Sequence, residues 1–305
     1  MLFSFIFIIC VFSIISAQIH LTRLNLADVC NCDITNSDLI DLFNKSIVSI
    51  DQNTFTGLDN VKKIDIHYNN ITTVHPDTFK ELIGLEYLSL WDNQINTLHP
   101  TTFNGLINLN YLSLARNKFA QIDPVWFDGL KSLKRLRLNA NQISSLDPDT
   151  FAGLPSLEDI MLNYNQLTYI DSNIFRGLKN LKWLLLNDNN IKSIDGNAFK
   201  DLNNLTELRL YRNKIDSYDL NTFSRLSNLE YLYLASFKIT LLIDYLFKTI
   251  YFFVLKEENR IKDVPNGLFS NLTKLIVLSI ESNEVITFNK NSLLGLANLQ
   301  KVQIF

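Results

Sequence analysis

The chain has 305 residues, 47% of them apolar, and 28 Lys and Arg against 31 Asp and Glu, for a formal charge of −3. It carries no run of like charge, which argues against a nucleic acid or an anionic membrane as partner. Length alone would allow two domains, but a strict internal period of 24 residues makes one continuous stack the expected architecture.

Residues 1–17 read as a secretory signal peptide. Leu2–Ile15 is apolar apart from Ser4 and Ser13, and Ser16-Ala17 offers small residues for cleavage. The stretch is shorter than the roughly 20 apolar residues a bilayer span requires. No transmembrane segment is expected in the mature chain. Asn-x-Ser/Thr acceptors at Asn44, Asn70, Asn204 and Asn271 agree with export. Beyond the leader only Cys30 and Cys32 remain. A bond between residues two apart is expected to be strained. They are therefore expected to pair elsewhere, a disulfide-linked dimer being one outcome, or to stay thiols.

Residues 18–36 form a non-repetitive lead-in or partial cap. Repeats then open at Ser37, Val61, Leu85, Leu109, Leu133, Leu157, Leu181, Leu205, Leu229, Leu275 and Leu299. Ten are present and an eleventh, partial one follows, so that residues 37–305 form one array. Each follows L-x-x-L-x-L-x-x-N-x-I-x-x-I, four residues, then F-x-x-L. The Asn slot holds Asn69, Asn93, Asn117, Asn141, Asn165, Asn189, Asn213 and Asn283. Phe55, Phe79, Phe103, Phe127, Phe151, Phe175, Phe199 and Phe223 fill the Phe slot.

The L-x-L alternation predicts a short strand with one buried face. A buried amide must satisfy two donors and an acceptor, so an Asn at a repeating corner can bond free backbone groups of its own turn and of the adjacent coil. On the return limb, Asp123-Pro124, Asp147-Pro148, His75-Pro76 and His99-Pro100 share one slot. Asp as N-cap with Pro at the first helical position predicts a short helical turn. The Phe and the following Leu then close the core from behind.

The period breaks once. Removing residues 237–258 returns Asn259 to the Asn slot, with Ile261, Val264, Phe269 and Leu272 on schedule. Two readings stand: an insertion, or a degenerate repeat in which Ile239, Leu242, Phe247 and Ile250 keep the apolar slots.

This pattern resembles the leucine-rich repeat family in its 24-residue extracellular type, over about residues 37–305. The resemblance implies an α/β fold, a solenoid curved like a horseshoe, with a parallel β-sheet on its concave face and irregular or short helical segments behind. Extracellular members often open with a cap of four cysteines in two disulfides; Cys30 and Cys32 look like half of one. The final coil stops at Phe305, so a receptor ectodomain without its membrane segment is one form the protein could take.

No catalytic constellation is present: there is no metal-ligand Cys/His spacing, no G-x-S-x-G and no phosphate loop. An enzyme is not expected, nor is a cofactor or a metal. His75 and His99 lie 24 apart in the slot that Asp123 and Asp147 fill elsewhere, which makes them caps rather than a metal pair. The free positions of the strand carry the remaining information. Read across repeats, they are rich in Tyr, Trp and Arg, the residues enriched at interface hot spots. Tyr87, Trp91, Tyr111, Arg135, Arg137 and Trp183 are the candidate partner-binding residues. The expected function is a secreted or cell-surface protein that binds a protein partner through the concave sheet, of adhesion, receptor-ectodomain or innate-recognition type. The alternative is a structural extracellular-matrix or assembly component.

Overall fold

One repeat cannot bury both sides of a three-residue strand, so the strands must stack. A computed structural model describes residues 18–235, 259–281, 283–285 and 289–303. The expected signal peptide and the segment 237–258 lie outside the described residues.

The first strands are β1 (Ile19–Leu21), β2 (Leu39–Asp41), β3 (Ile47–Ile50), β4 (Lys63–Asp65) and β5 (Tyr87–Ser89). Next come β6 (Tyr111–Ser113), β7 (Arg135–Arg137), β8 (Asp159–Met161), β9 (Tyr169–Ile170) and β10 (Trp183–Leu185). The last are β11 (Ser193–Ile194), β12 (Glu207–Arg209), β13 (Tyr231–Tyr233), β14 (Val277–Ser279) and β15 (Lys301–Gln303). Eleven of them form one sheet in the order β15-β14-β13-β12-β10-β8-β7-β6-β5-β4-β2. Every pair in it is parallel, and the middle residues Leu136, Ile160, Leu184, Leu208 and Leu232 register against one another in the core. The short pairs β1–β3 and β9–β11 lie outside this sheet. The fold is thus the expected parallel β-solenoid.

The Asn slot joins the coils. Asn165 accepts a hydrogen bond at Oδ1 from the Ile143 N–H of the preceding coil at 3.0 Å. Its Nδ2 donates to Leu138 O of that coil and to Leu162 O of its own, each at 3.0 Å. The same three bonds recur at Asn93, Asn117, Asn141, Asn189 and Asn213. Buried backbone groups that face no strand partner are satisfied in this way.

β13 hydrogen-bonds directly to β14 although Tyr231 and Val277 are 46 residues apart rather than 24. Asn259 continues the ladder there, donating to Leu210 O at 3.0 Å and Leu234 O at 2.8 Å and accepting from Ile215 N at 3.1 Å.

On the return limb the Phe side chains form a stacked spine. Ring centroids from Phe127 through Phe151, Phe175, Phe199 and Phe223 lie 6.1–6.5 Å apart. Of the four predicted Pro-started turns, one closes as a regular 3-10 helix, Pro124–Phe127, with Val125 N donating to Asp123 Oδ1 at 3.0 Å. The others are single turns. His75 and His99 do the capping work of the aspartates: their Nδ1 atoms accept from Asp77 N at 3.1 Å and Thr101 N at 3.3 Å.

The cysteine expectation is corrected. Cys30 and Cys32 are disulfide-bonded to each other. Cys30 ends the helix α1 (Leu26–Cys30), and its C-cap Asn31 takes the left-handed conformation at φ 53°. That reversal brings the two Cα atoms to 5.2 Å, within ordinary disulfide reach. Neither sulfur is left for a covalent dimer.

Replacing Asn165 by Ala strands the buried Ile143 N–H and takes one of two amide donors from Leu138 O and Leu162 O, which keep Asn141 and Asn189. At about 1–3 kcal/mol for the stranded N–H, we expect Asn165→Ala to lose about 1–3 kcal/mol in denaturant unfolding. Asn283→Ala, at a part-buried site near the array's end, is expected to lose clearly less.

Candidate partner-binding face

Outward side chains of the eleven strands form columns because registered residues sit one strand spacing apart, about 4.8 Å. The first column runs Lys63, Tyr87, Tyr111, Arg135, Asp159, Trp183, Glu207, Tyr231. The second runs Asp65, Ser89, Ser113, Arg137, Met161, Leu185, Arg209, Tyr233. Two residues beyond each strand a third row includes Phe43, His67, Trp91, Asn139, Asn163, Asn187 and Tyr211.

The six sequence-predicted residues fall into three groups rather than one patch. Tyr87 and Tyr111 stack with centroids 4.5 Å apart and planes 7° from parallel, and the Arg137 guanidinium lies 6.0 Å from the Tyr111 ring. Arg137 also pairs with Asp159. Arg135 is exposed between Tyr111 and Asp159 on the same column. Trp91 belongs to a second group. Trp183 stands apart beyond β8, 38% exposed, with Lys182 Nζ 5.9 Å from its ring centre.

Trp91 anchors a cluster that the sequence reading did not assemble. His67 is stacked between Phe43 at 4.4 Å and Trp91 at 5.2 Å. Tyr68 meets Phe43 and Trp91 edge-on at 5.9 and 5.7 Å. His67 is fixed by Asp65, and Arg116 stands 6.0 Å over Trp91. The signal was available: Phe43, His67 and Trp91 are each 24 apart. A further group toward the other end joins Tyr164, Asp188 and Arg212, with Arg212 Nη1 3.2 Å from Asp188 Oδ1.

The electrostatics are local and largely compensated. Arg116, Arg137, Arg209 and Arg212 are committed to Asp92, Asp159, Glu207 and Asp188. Burial, aided by the Asp65 charge and Tyr111, pushes the Tyr87 phenol up to about 12. Burial and then Asp188 do the same to Tyr211, also about 12. Burial raises Asp188 against the opposing pull of Asn187 and Arg212. Among the described residues no cluster of three or more His, Cys, Asp or Glu could hold a metal, and no helix is long and apolar enough to cross a membrane.

The leucine rich repeat family model matches residues 38–95, 83–143, 131–191, 179–239 and 257–305, passing over 240–256. The chain belongs to the leucine-rich repeat family. No curated protein sequence matches this leucine-rich repeat chain. Among solved structures, it is similar to the crystal structure of a TLR13–ssRNA13 complex, with a TM-score of 0.77 and 26% identity over 93% of this chain. A leucine-rich repeat protein of Leptospira interrogans matches with 0.68 and 25% over 85%. The Drosophila Toll–Spatzle complex matches with 0.66 and 20% over 85%, a likeness of fold. The chain spans 38%, 58% and 35% of those chains respectively.

Arg137→Ala leaves Asp159 buried and unpaired and is expected to cost about 3–5 kcal/mol by denaturant melts. Asp159→Asn in that background should restore part of the loss, a coupling that a double-mutant cycle reads. Tyr87 and Tyr211 ionise later in the native state than at the ordinary value of 10.0. Their stabilising share is therefore full below pH 10 and lost as pH rises toward about 12; ultraviolet titration should show two late phenols that Tyr87→Phe and Tyr211→Phe remove one at a time.

Proposed function

We propose that the protein is an extracellular recognition module that binds a protein partner on the concave sheet, through the face between Tyr87 and Tyr211. One observation carries the reading. Outside the fixed Leu and Asn slots, the concave strands place Tyr87, Tyr111, Arg135, Arg137, Trp183, Arg209, Tyr231 and Tyr233 in two registered columns. Aromatic and Arg anchors on a preformed surface cost little ordering on binding. Eleven strands at about 4.8 Å give a face roughly 50 Å long, enough for a protein partner.

The leucine-rich repeat family and the ectodomain-type neighbours support a recognition role and an extracellular setting. We read residues 1–17 as the export leader and residues 237–258 as an insertion between adjacent coils. One neighbour is a complex with a single-stranded RNA and another a complex of Toll with Spatzle. Charge favours the protein: four concave guanidiniums are already committed to carboxylates, and a phosphate backbone would have to displace them. Adhesion, receptor and innate-recognition settings share this chemistry, as fold alone does not assign a ligand.

The test is partner capture from native extracellular fluid by crosslinking and mass spectrometry, with the Tyr87→Ala/Trp91→Ala/Trp183→Ala variant as comparison. We expect the variant to lose capture at least tenfold while its far-ultraviolet melting stays cooperative. Equal capture by a folded variant would remove the concave face as the site.

A further inference from the structure

We propose that Asn44 carries an N-linked glycan whose first N-acetylglucosamine packs on Phe43 and Tyr68, closing the N-terminal end of the concave face to partners. The inference rests on the extracellular reading above and adds a boundary to the binding face.

The four acceptor triplets are not equivalent in the fold. Asn204 and Asn271 each donate Nδ2 to a backbone carbonyl of the preceding coil, Lys179 O at 2.9 Å and Ser224 O at 3.1 Å. Asn108, Asn180, Asn228 and Asn298 make the same kind of bond without being acceptor triplets. Coil-to-coil bonding therefore accounts for Asn204 and Asn271. Asn70 is exposed at a slot that Gln94, Lys118 and Gln142 fill on later coils, ordinary solvated positions.

Asn44 differs from all three. All four are exposed, but Asn44 alone is in the left-handed conformation, at φ 53°, and its N–H donates to His67 O at 3.1 Å. Its neighbour in the chain is Phe43, and its neighbour on the next coil is Tyr68. These two rings meet edge-on at 5.9 Å and remain 45% and 46% exposed, whereas His67 fills the space between Phe43 and Trp91. The molecule thus presents two large, half-exposed rings beside an exposed acceptor asparagine. The C–H face of a pyranose attached at that nitrogen would cover them, and covered ring area is favourable.

The covalent step balances with a polyprenyl-diphosphate oligosaccharide as donor. Asn44 Nδ2 attacks sugar C1, a C–N bond forms, the C1–O bond to the diphosphate breaks, and the amide gives up one proton.

The test uses the full chain made in cells restricted to high-mannose glycans. Glycopeptide mass spectrometry should find Asn44 occupied. Trimming to a single N-acetylglucosamine should leave the melting temperature unchanged. Complete removal by a peptide amidase, which leaves Asp at 44, should lower it by about 2 °C. The Phe43→Ala/Tyr68→Ala variant, which keeps all four acceptors, should show no such drop. An empty Asn44 beside another occupied acceptor overturns this inference and leaves the extracellular reading standing. Four empty acceptors overturn both. An equal drop in wild type and variant overturns the packing on Phe43 and Tyr68.

Discussion

Every coil of this molecule turns a corner where backbone N–H and C=O groups face the interior without a strand partner, and one buried carboxamide per coil satisfies them. Because each Asn reaches its own coil and the one before, it couples neighbours rather than closing a local loop. A leucine at that slot would fill the space, leave one buried N–H unpaired and remove one of the two amide donors that each of two buried carbonyls shares with the adjacent Asn. The stack of Leu, Ile and Phe supplies the apolar burial, but it has no directional preference of its own. The amide ladder is what sets the pitch at which the strands register.

That pitch has a conformational consequence. The residue before the slot adopts a positive φ in coil after coil: Tyr68 at 60°, Asp92 at 54°, Arg116 at 50°, Ala140 at 56°, Tyr164 at 56°, Asp188 at 54° and Arg212 at 53°. None of these is Gly, although a left-handed conformation costs an ordinary residue on the order of 1–2 kcal/mol. Some of the side chains there become part of the exposed face, whereas Asp188 is mostly buried against Arg212. Tyr68 and Tyr164 are 46% and 53% exposed. Scaffold and candidate site therefore share a cause: the corner that needs the Asn also presents its neighbour.

The period made the architecture legible. Leu, Asn and Phe slots have one chemical requirement each, so counting them gave the strands, the parallel sheet and the return limb. The caps at His75 and His99 followed from shared slot position. Cys30–Cys32 was misread because spacing alone does not report the reversal at Asn31. The second asparagine ladder, through Asn108, Asn180 and Asn204, was missed because its members sit in a polar loop slot that tolerates Lys and Ser elsewhere. The candidate face was half legible. Columns show which residues point outward, but Tyr87 with Tyr111, and His67 between Phe43 and Trp91, are ring contacts that depend on rotamers. Likewise, the sequence offers Arg137 as a candidate partner-binding residue, and in the fold it is ion-paired with Asp159.

The central claim is that recognition lies on the free strand columns while the repeat slots only build the frame. Site-specific photocrosslinking tests it most directly, with a photoreactive residue placed at Tyr111 or Trp183 on the sheet, or at exposed Asn197 on the return limb. The account predicts that the two sheet positions trap the same protein from native extracellular fluid and that position 197 does not. Trapping of a common protein only from position 197, or of RNA rather than protein from the sheet, would contradict it.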